Sequence, residues 1–289
     1  MDQAENLRNV VKLQNQKMVE NARIYTITSG KGGVGKSNAA VNLAVAFRRM
    51  GKRVLILDAD FGLANVEVMF GTVPEYNLSD FIYGKKSIRD IITVGPMDIG
   101  FISGGSGIVG LNNLTGDQIN RVVRSLSKLN QMTDILLIDT GAGVSDAVMS
   151  FVLASPEVLL VTTPEPSSLT DSYSLVKALY KNPRFSPSAT RIRVIANKVS
   201  SEEEGRAVYE KLDSVVTKFL HGNIEHLGTV LMDPALEKAV RSQQIVSVSQ
   251  PSSRSARAFD EIARTLEGEE TDFHHHGSLA EFLGRLIRR

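Results

Sequence analysis

Gly30-Lys31-Gly32-Gly33-Val34-Gly35-Lys36-Ser37 follows directly on the apolar run 24–28, and its reading decides the fold. A glycine, four residues, then Gly-Lys-Ser is the spacing of a phosphate-binding P-loop. Successive backbone N–H groups have to wrap a polyphosphate with no side chain intervening, and glycine permits that approach. Lys36 is placed to reach the β and γ phosphates and the Ser37 hydroxyl to ligate Mg²⁺. The helix expected from residue 37 to about 50 turns its positive N-terminal end toward the anion.

Outward from that loop, strands and helices alternate. Residues 53–58 read as a buried strand that ends in Asp58, with Asp60 two residues on. Residues 134–139 read as another, ending in Asp139 and followed by Gly141 and Gly143. Carboxylates at the carboxyl ends of strands stand where open α/β sheets bind ligands. Asp139 is expected to hold Mg²⁺ through a water, and the glycines to let the loop move as the γ-phosphate comes and goes. Residues 158–163, 192–196 and 228–231 are expected strands, and 166–179 and 207–220 expected helices. The alternation predicts an α/β fold, a doubly wound and mostly parallel sheet of P-loop NTPase type flanked by helices. Between the two carboxylate strands, 99–103 reads as a strand, 104–110 as a mobile loop, and 115–129 as a helix capped by Thr115.

Composition narrows the class. The chain has 289 residues, 33 Lys plus Arg against 32 Asp plus Glu, and no cysteine. Near-zero net charge argues against nonspecific nucleic-acid binding. The missing thiols exclude disulfides, thiolate catalysis and Cys-ligated zinc or iron–sulfur clusters. No apolar run approaches the length of about 18 residues that spans a bilayer, so a cytoplasmic protein is expected.

The ends carry their own signals. Residues 1–21 read as a helical tail beginning near Asp2, and 22–268 as one nucleotide-binding domain. Residues 269–277, with three adjacent histidines, read as a solvated linker rather than a metal site. Ser278 and Glu281 form a capping box that opens a helix over 278–289. Its Leu279, Phe282, Leu283, Leu286 and Ile287 share one apolar face beside Arg285, Arg288 and Arg289, the composition of a helix lying in a membrane surface.

An ordinary P-loop does not require Lys31. The spelling from Lys31 to Ser37, together with Asp58-Ala59-Asp60-Phe61-Gly62-Leu63-Ala64-Asn65, resembles the deviant P-loop ATPases of the MinD/ParA family over roughly residues 22–266. The resemblance implies ATP hydrolysis with ATP/ADP and Mg²⁺ as cofactors, and an ATP-dependent homodimer. It implies that Lys31 crosses the dimer interface to the partner's nucleotide, that Lys36 and Asp60 are catalytic, with Asp60 positioning the attacking water, and that Ser37, Asp58 and Asp139 serve the metal. Gly30, Lys31, Gly32, Gly33, Val34, Gly35, Lys36, Ser37 and Asn38 would bind nucleotide, and Asn197 would read the adenine edge. Relatives often carry Ile-Pro before an acidic residue on the next loop; this chain has Leu231-Met232-Asp233-Pro234, so that contact is not transferred.

Asp2, Gln3 and Ala4, taken with the C-terminal helix, resemble the FlhG (YlxH) branch of the family. That implies an FlhF-type GTPase as the tail's partner, flagellar basal-body proteins as further partners, and reversible attachment to an anionic membrane at its inner face. A cell-division MinD or a ParA-like DNA-segregation ATPase are the alternatives within the family. Nitrogenase iron protein and iron–sulfur carriers share the loop, but their cysteine ligands are absent here.

Overall fold

The sheet is built around β1 (Arg23–Ser29), the strand that delivers the P-loop. In chain order follow β2 (Val54–Ala59), β3 (Thr93–Val94), β4 (Gly100–Ser103), β5 (Ile135–Ala142), β6 (Glu157–Thr162), β7 (Arg191–Val199) and β8 (Glu225–Leu231). Their spatial order is β3-β4-β2-β5-β1-β6-β7-β8. Among the described residues only the β3–β4 pairing is antiparallel. The structure, a computed structural model, describes residues 22–60, 65–105, 129, 132–268, 282 and 284–286.

Parallel strands covered on both faces read as continuous apolar runs, as 135–138 and 158–161 do. Tyr25 and Ile27 join the core cluster of one face, whereas Ile24 joins that of the other. The first face is covered by α1 (Lys36–Arg49) and α9 (Arg254–Gly268). Small residues Ala39, Ala40 and Ala44 let α1 press close on the sheet, and all three are buried. On the other face lie α3 (Leu78–Ile82), α4 (Asp146–Ala154), α5 (Pro166–Lys181) and α6 (Glu202–Leu220). Shorter helices are α2 (Asn65–Phe70), α7 (Pro234–Arg241) and α8 (Val246–Ser249).

Two differences from the sequence reading have local causes. Helix α6 starts at Glu202 rather than 207, because Ser201 caps it by accepting from the Glu204 N–H and three acidic residues fill its positive first turn. Helix α9, not anticipated, buries Ala256, Phe259, Ile262, Ala263 and Leu266 at helical spacing. Its end is pinned where the domain begins: Glu267 accepts from Arg23 at 3.0 Å and also pairs with Lys52.

Of the expected C-terminal helix, residues 282 and 284–286 are described. Phe282, expected to face a membrane, is 2 % exposed and belongs to the core cluster containing Ile24, Leu55, Ile138 and Phe151, with Leu286 packed against it. Burying such an aromatic is worth about 1.5–3 kcal/mol. Leu279, Leu283, Ile287, the 1–21 tail with Asp2, Gln3 and Ala4, and most of the 115–129 helix lie outside the described residues. Among the described residues no helix is long and apolar enough to cross a membrane.

Candidate functional site: a nucleotide crevice at the strand ends

The parallel strands all end at one edge of the sheet, and the order of connection reverses at β1, between β5 and β6. A crevice at such a switch point is the ligand position of open α/β sheets. On the β2–β5 side, Asp58 and Asp139 are register partners on adjacent strands, so their carboxylates stand side by side. Asp58 is held by the backbone N–H groups of Val66 at 3.1 Å and Asp60 at 3.2 Å. Asp60 accepts from Asn65 Nδ2 at 3.3 Å. Asp139 is fully buried, and neither of its oxygens has a partner in good hydrogen-bonding geometry.

Burial pushes the Asp139 carboxyl up to about 7, against the opposing pull of the Ser37 hydroxyl and with repulsion from Asp58 adding to it. Burial likewise raises Asp58 to about 6, although the Val66 and Asp60 N–H groups favour its charged form. A buried carboxylate with both oxygens unspent, beside a hydroxyl and a second carboxylate, suits a hard divalent cation. Among the described residues no three His, Cys, Asp or Glu converge on one point, so such a cation would draw its other ligands from Ser37, water and phosphate. Asn38 Oδ1, in the first turn of α1, is also buried without a partner.

The loop itself is held from the other side. Gly35 has φ +99, and a Cβ on it would stand 2.4 Å from Asn197 Nδ2. At Gly30 a Cβ would stand 2.1 Å from the Asp171 backbone, so α5 packs against the loop only because residue 30 is glycine. Asn197 donates from Nδ2 to the Val34 carbonyl at 2.7 Å and accepts on Oδ1 from the Lys198 N–H at 2.9 Å. Lys198 Nζ donates to the Gly33 carbonyl at 2.8 Å. Gly143 N–H donates to the Ser29 carbonyl at 2.9 Å, tying the residues after β5 to the foot of the loop.

Lys31 is paired within its own chain. Its Nζ donates to Glu165 Oε2 and to Ser167 Oγ, both at 2.8 Å. Hydrogen bonding to Lys31 and the charge on it hold the Glu165 carboxyl below its usual value. Sequence reasoning missed Glu165, Ser167 and Lys198: no spacing rule links residues 165 and 31, and Lys198 looks like any strand-end cation. The structure thus gathers Lys36, Ser37, Asp58, Asp60 and Asp139 at the ends of β2 and β5, brings Asn197 against the loop at Val34 and Gly35, and turns Lys31 toward α5.

A glycine loop between a central parallel strand and its helix, faced by strand-end carboxylates, defines a P-loop NTPase. Residues 20–267 match the ParA family, described as NUBPL iron-transfer P-loop NTPase, and the chain belongs to that family. It is 38% identical over 266 residues to the antiactivator FleN of Pseudomonas aeruginosa, covering 92% of this chain and 94% of that one. It is 34% identical over 271 residues to the flagellum site-determining protein YlxH of Helicobacter pylori, covering 92% and 90%. In structure it is similar to the septum site-determining protein MinD of Pyrococcus horikoshii complexed with Mg-ADP, with a TM-score of 0.66 at 25% identity over 85% of this chain and 96% of that one.

Proposed function

We propose that this chain is a Mg²⁺-dependent ATPase that alternates between a monomer and an ATP-sandwiched homodimer, in the service of flagellar placement and number. The observation that carries the nucleotide reading is Asp139, a buried carboxylate with unspent oxygens next to Ser37 at the mouth of a glycine loop. Mg²⁺, when bound, neutralises charge on the β and γ phosphates. Ser37 and Asp139 would hold it, with Asp58 beside Asp139 on the adjacent strand. Loop N–H groups and Lys36 carry the phosphate charge. Asp60, steadied by Asn65, orients the attacking water, so catalysis is positioning plus electrostatics. After its bonds to Val34 and Lys198, Asn197 keeps one amide hydrogen and one Oδ1 lone pair with which to read the adenine edge. In the monomer Lys31 is engaged by Glu165 and Ser167; in the dimer it exchanges them for the partner's nucleotide.

The flagellar assignment rests on the FleN and YlxH relatives, with Asp2, Gln3 and Ala4 as the contact for an FlhF-type GTPase. Membrane attachment requires Phe282 to leave the core cluster it occupies here. One released helix of about 12 residues, roughly 18 Å long, binds an anionic surface weakly. Two released together in an ATP dimer gain about 10²-fold by effective concentration. The test is turnover and liposome co-sedimentation of the full chain. Mg-ATP should be hydrolysed, Asp60→Ala should bind ATP and sediment without turnover, and Phe282→Glu should lose sedimentation. Equal sedimentation with ADP and ATP contradicts the cycle, and absence of Mg-ATP turnover contradicts the enzyme.

A further inference from the structure

Strand β7 does not end regularly. Asn197 is in register with Val230 and Val199 with Leu231 on β8, so Lys198 is an extra residue with no partner across the ladder. It sits at φ +57, a left-handed conformation that a lysine adopts only at a cost. Bulges of this kind re-aim side chains next to functional sites. Here the bulge does two things. It turns the Lys198 N–H onto Asn197 Oδ1, which fixes the amide with Nδ2 on the Val34 carbonyl. It also sends the Lys198 ammonium back to the Gly33 carbonyl.

We propose that Lys198 is a positioning residue for phosphate binding, acting with Asn197 to hold two consecutive loop carbonyls outward so that the N–H groups of Val34 and Gly35 face the phosphates. Every peptide bond among the described residues is trans. In a trans peptide unit the carbonyl oxygen and the following N–H point in opposite directions. Anchoring Gly33 O therefore aims Val34 N–H, and anchoring Val34 O aims Gly35 N–H. Without the two donors those units, flanked by Gly33 at φ +77 and Gly35 at φ +99, are free to flip. A flipped unit would present a carbonyl to the phosphate. The proposal rests on the nucleotide reading of this crevice and assigns Lys198 no contact with the ligand.

The test uses the full chain and fluorescent ADP and ATP analogues with Mg²⁺, alongside steady-state hydrolysis. Lys198→Met keeps the bulge and removes the donor; it should weaken ADP and ATP binding about ten-fold, the order of one charge-assisted hydrogen bond. Lys198→Arg should restore most of the affinity. Lys198→Asn tolerates the left-handed backbone but cannot reach Gly33; it should raise the melting temperature of the nucleotide-free protein and still bind ADP as poorly as Lys198→Met. A merely structural lysine would move melting temperature and affinity together. Wild-type ADP affinity in Lys198→Met, or weakening that tracks only the melting temperature, overturns the proposal. Failure of the unaltered chain to bind Mg-ADP would overturn the nucleotide reading itself.

Discussion

The ends of β5 and β7 flank one loop and treat their polar groups in opposite ways. At β5, Asp139 is buried with both oxygens unspent beside a second carboxylate, whereas at β7 Asn197 uses its donor and an acceptor on protein partners. An unspent buried charge marks where something must arrive; an amide already bonded to the loop marks where the scaffold has been set beforehand. The β5 side is therefore built to change on binding, and the β7 side to stay as it is.

The largest effects are expected on the β2–β5 side. Asp60→Ala should lower turnover by about 10²–10⁴ while ATP binding survives, because it removes a water-orienting group and leaves the phosphate cradle. Single-turnover hydrolysis measures this, and unaltered turnover would reduce Asp60 to a structural residue. Lys36→Ala should abolish productive nucleotide binding, since the phosphate charge loses its facing cation.

Asp139→Asn sharpens the contrast. Replacing an unpaired buried carboxylate by a neutral amide should stabilise the nucleotide-free protein by about 1–3 kcal/mol at neutral pH and above. The further rise in melting temperature given by Mg-ADP should disappear. A variant that is less stable than wild type without nucleotide would show that Asp139 already has its partners.

Titration gives a smaller signal whose sign is fixed. Ordinary aspartates titrate near about 3.9, and burial raises Asp58 to about 6 and Asp139 to about 7. Between those values the folded chain binds more protons than the unfolded one. These two groups therefore stabilise the nucleotide-free fold most on the acid side and lose that contribution as pH rises through about 4 to 7. Mg²⁺ binding needs the ionised carboxylates, so Mg-ADP should release protons near about pH 6.5 and few above about pH 8. Calorimetry in two buffers of different ionisation enthalpy reads this; identical apparent enthalpies at the lower pH would contradict it.

The smallest effect belongs to an exposed pair. Glu165→Gln removes the carboxylate that holds Lys31. The ATP-dependent dimer should tighten a few-fold at most, because exposed ion pairs contribute little. Sedimentation velocity in the Asp60→Ala background measures it, and a weakened dimer would mean that Glu165 acts in the interface rather than as a competitor for Lys31.

How much of this was legible depended on whether the chemistry was local in sequence. The loop from Gly30 to Ser37 reads directly because its function requires fixed spacing, and Asp58, Asp60 and Asp139 because buried parallel strands end in carboxylates at a known edge. Lys198 acts through a one-residue bulge, and the register that creates it depends on β8, some thirty residues on. The Lys31–Glu165 pair depends on α5 packing against Gly30, a contact no periodicity reveals. The burial of Phe282 was not legible. An apolar stripe suits a lipid surface and a protein groove equally well, and Phe282 lies in the core.

Arg23 and Glu267 meet at 3.0 Å although 244 positions separate them in the chain. In topological terms the stretch from residue 22 to residue 268 is nearly a closed ring, its two ends meeting at one place. Joining residues 22 and 268 by a short bridge and opening the ring at a distant surface loop should leave the sheet intact. A segment transplanted from one end to the other would keep its point of departure, so the order in which segments are attached to the two ends carries little spatial information.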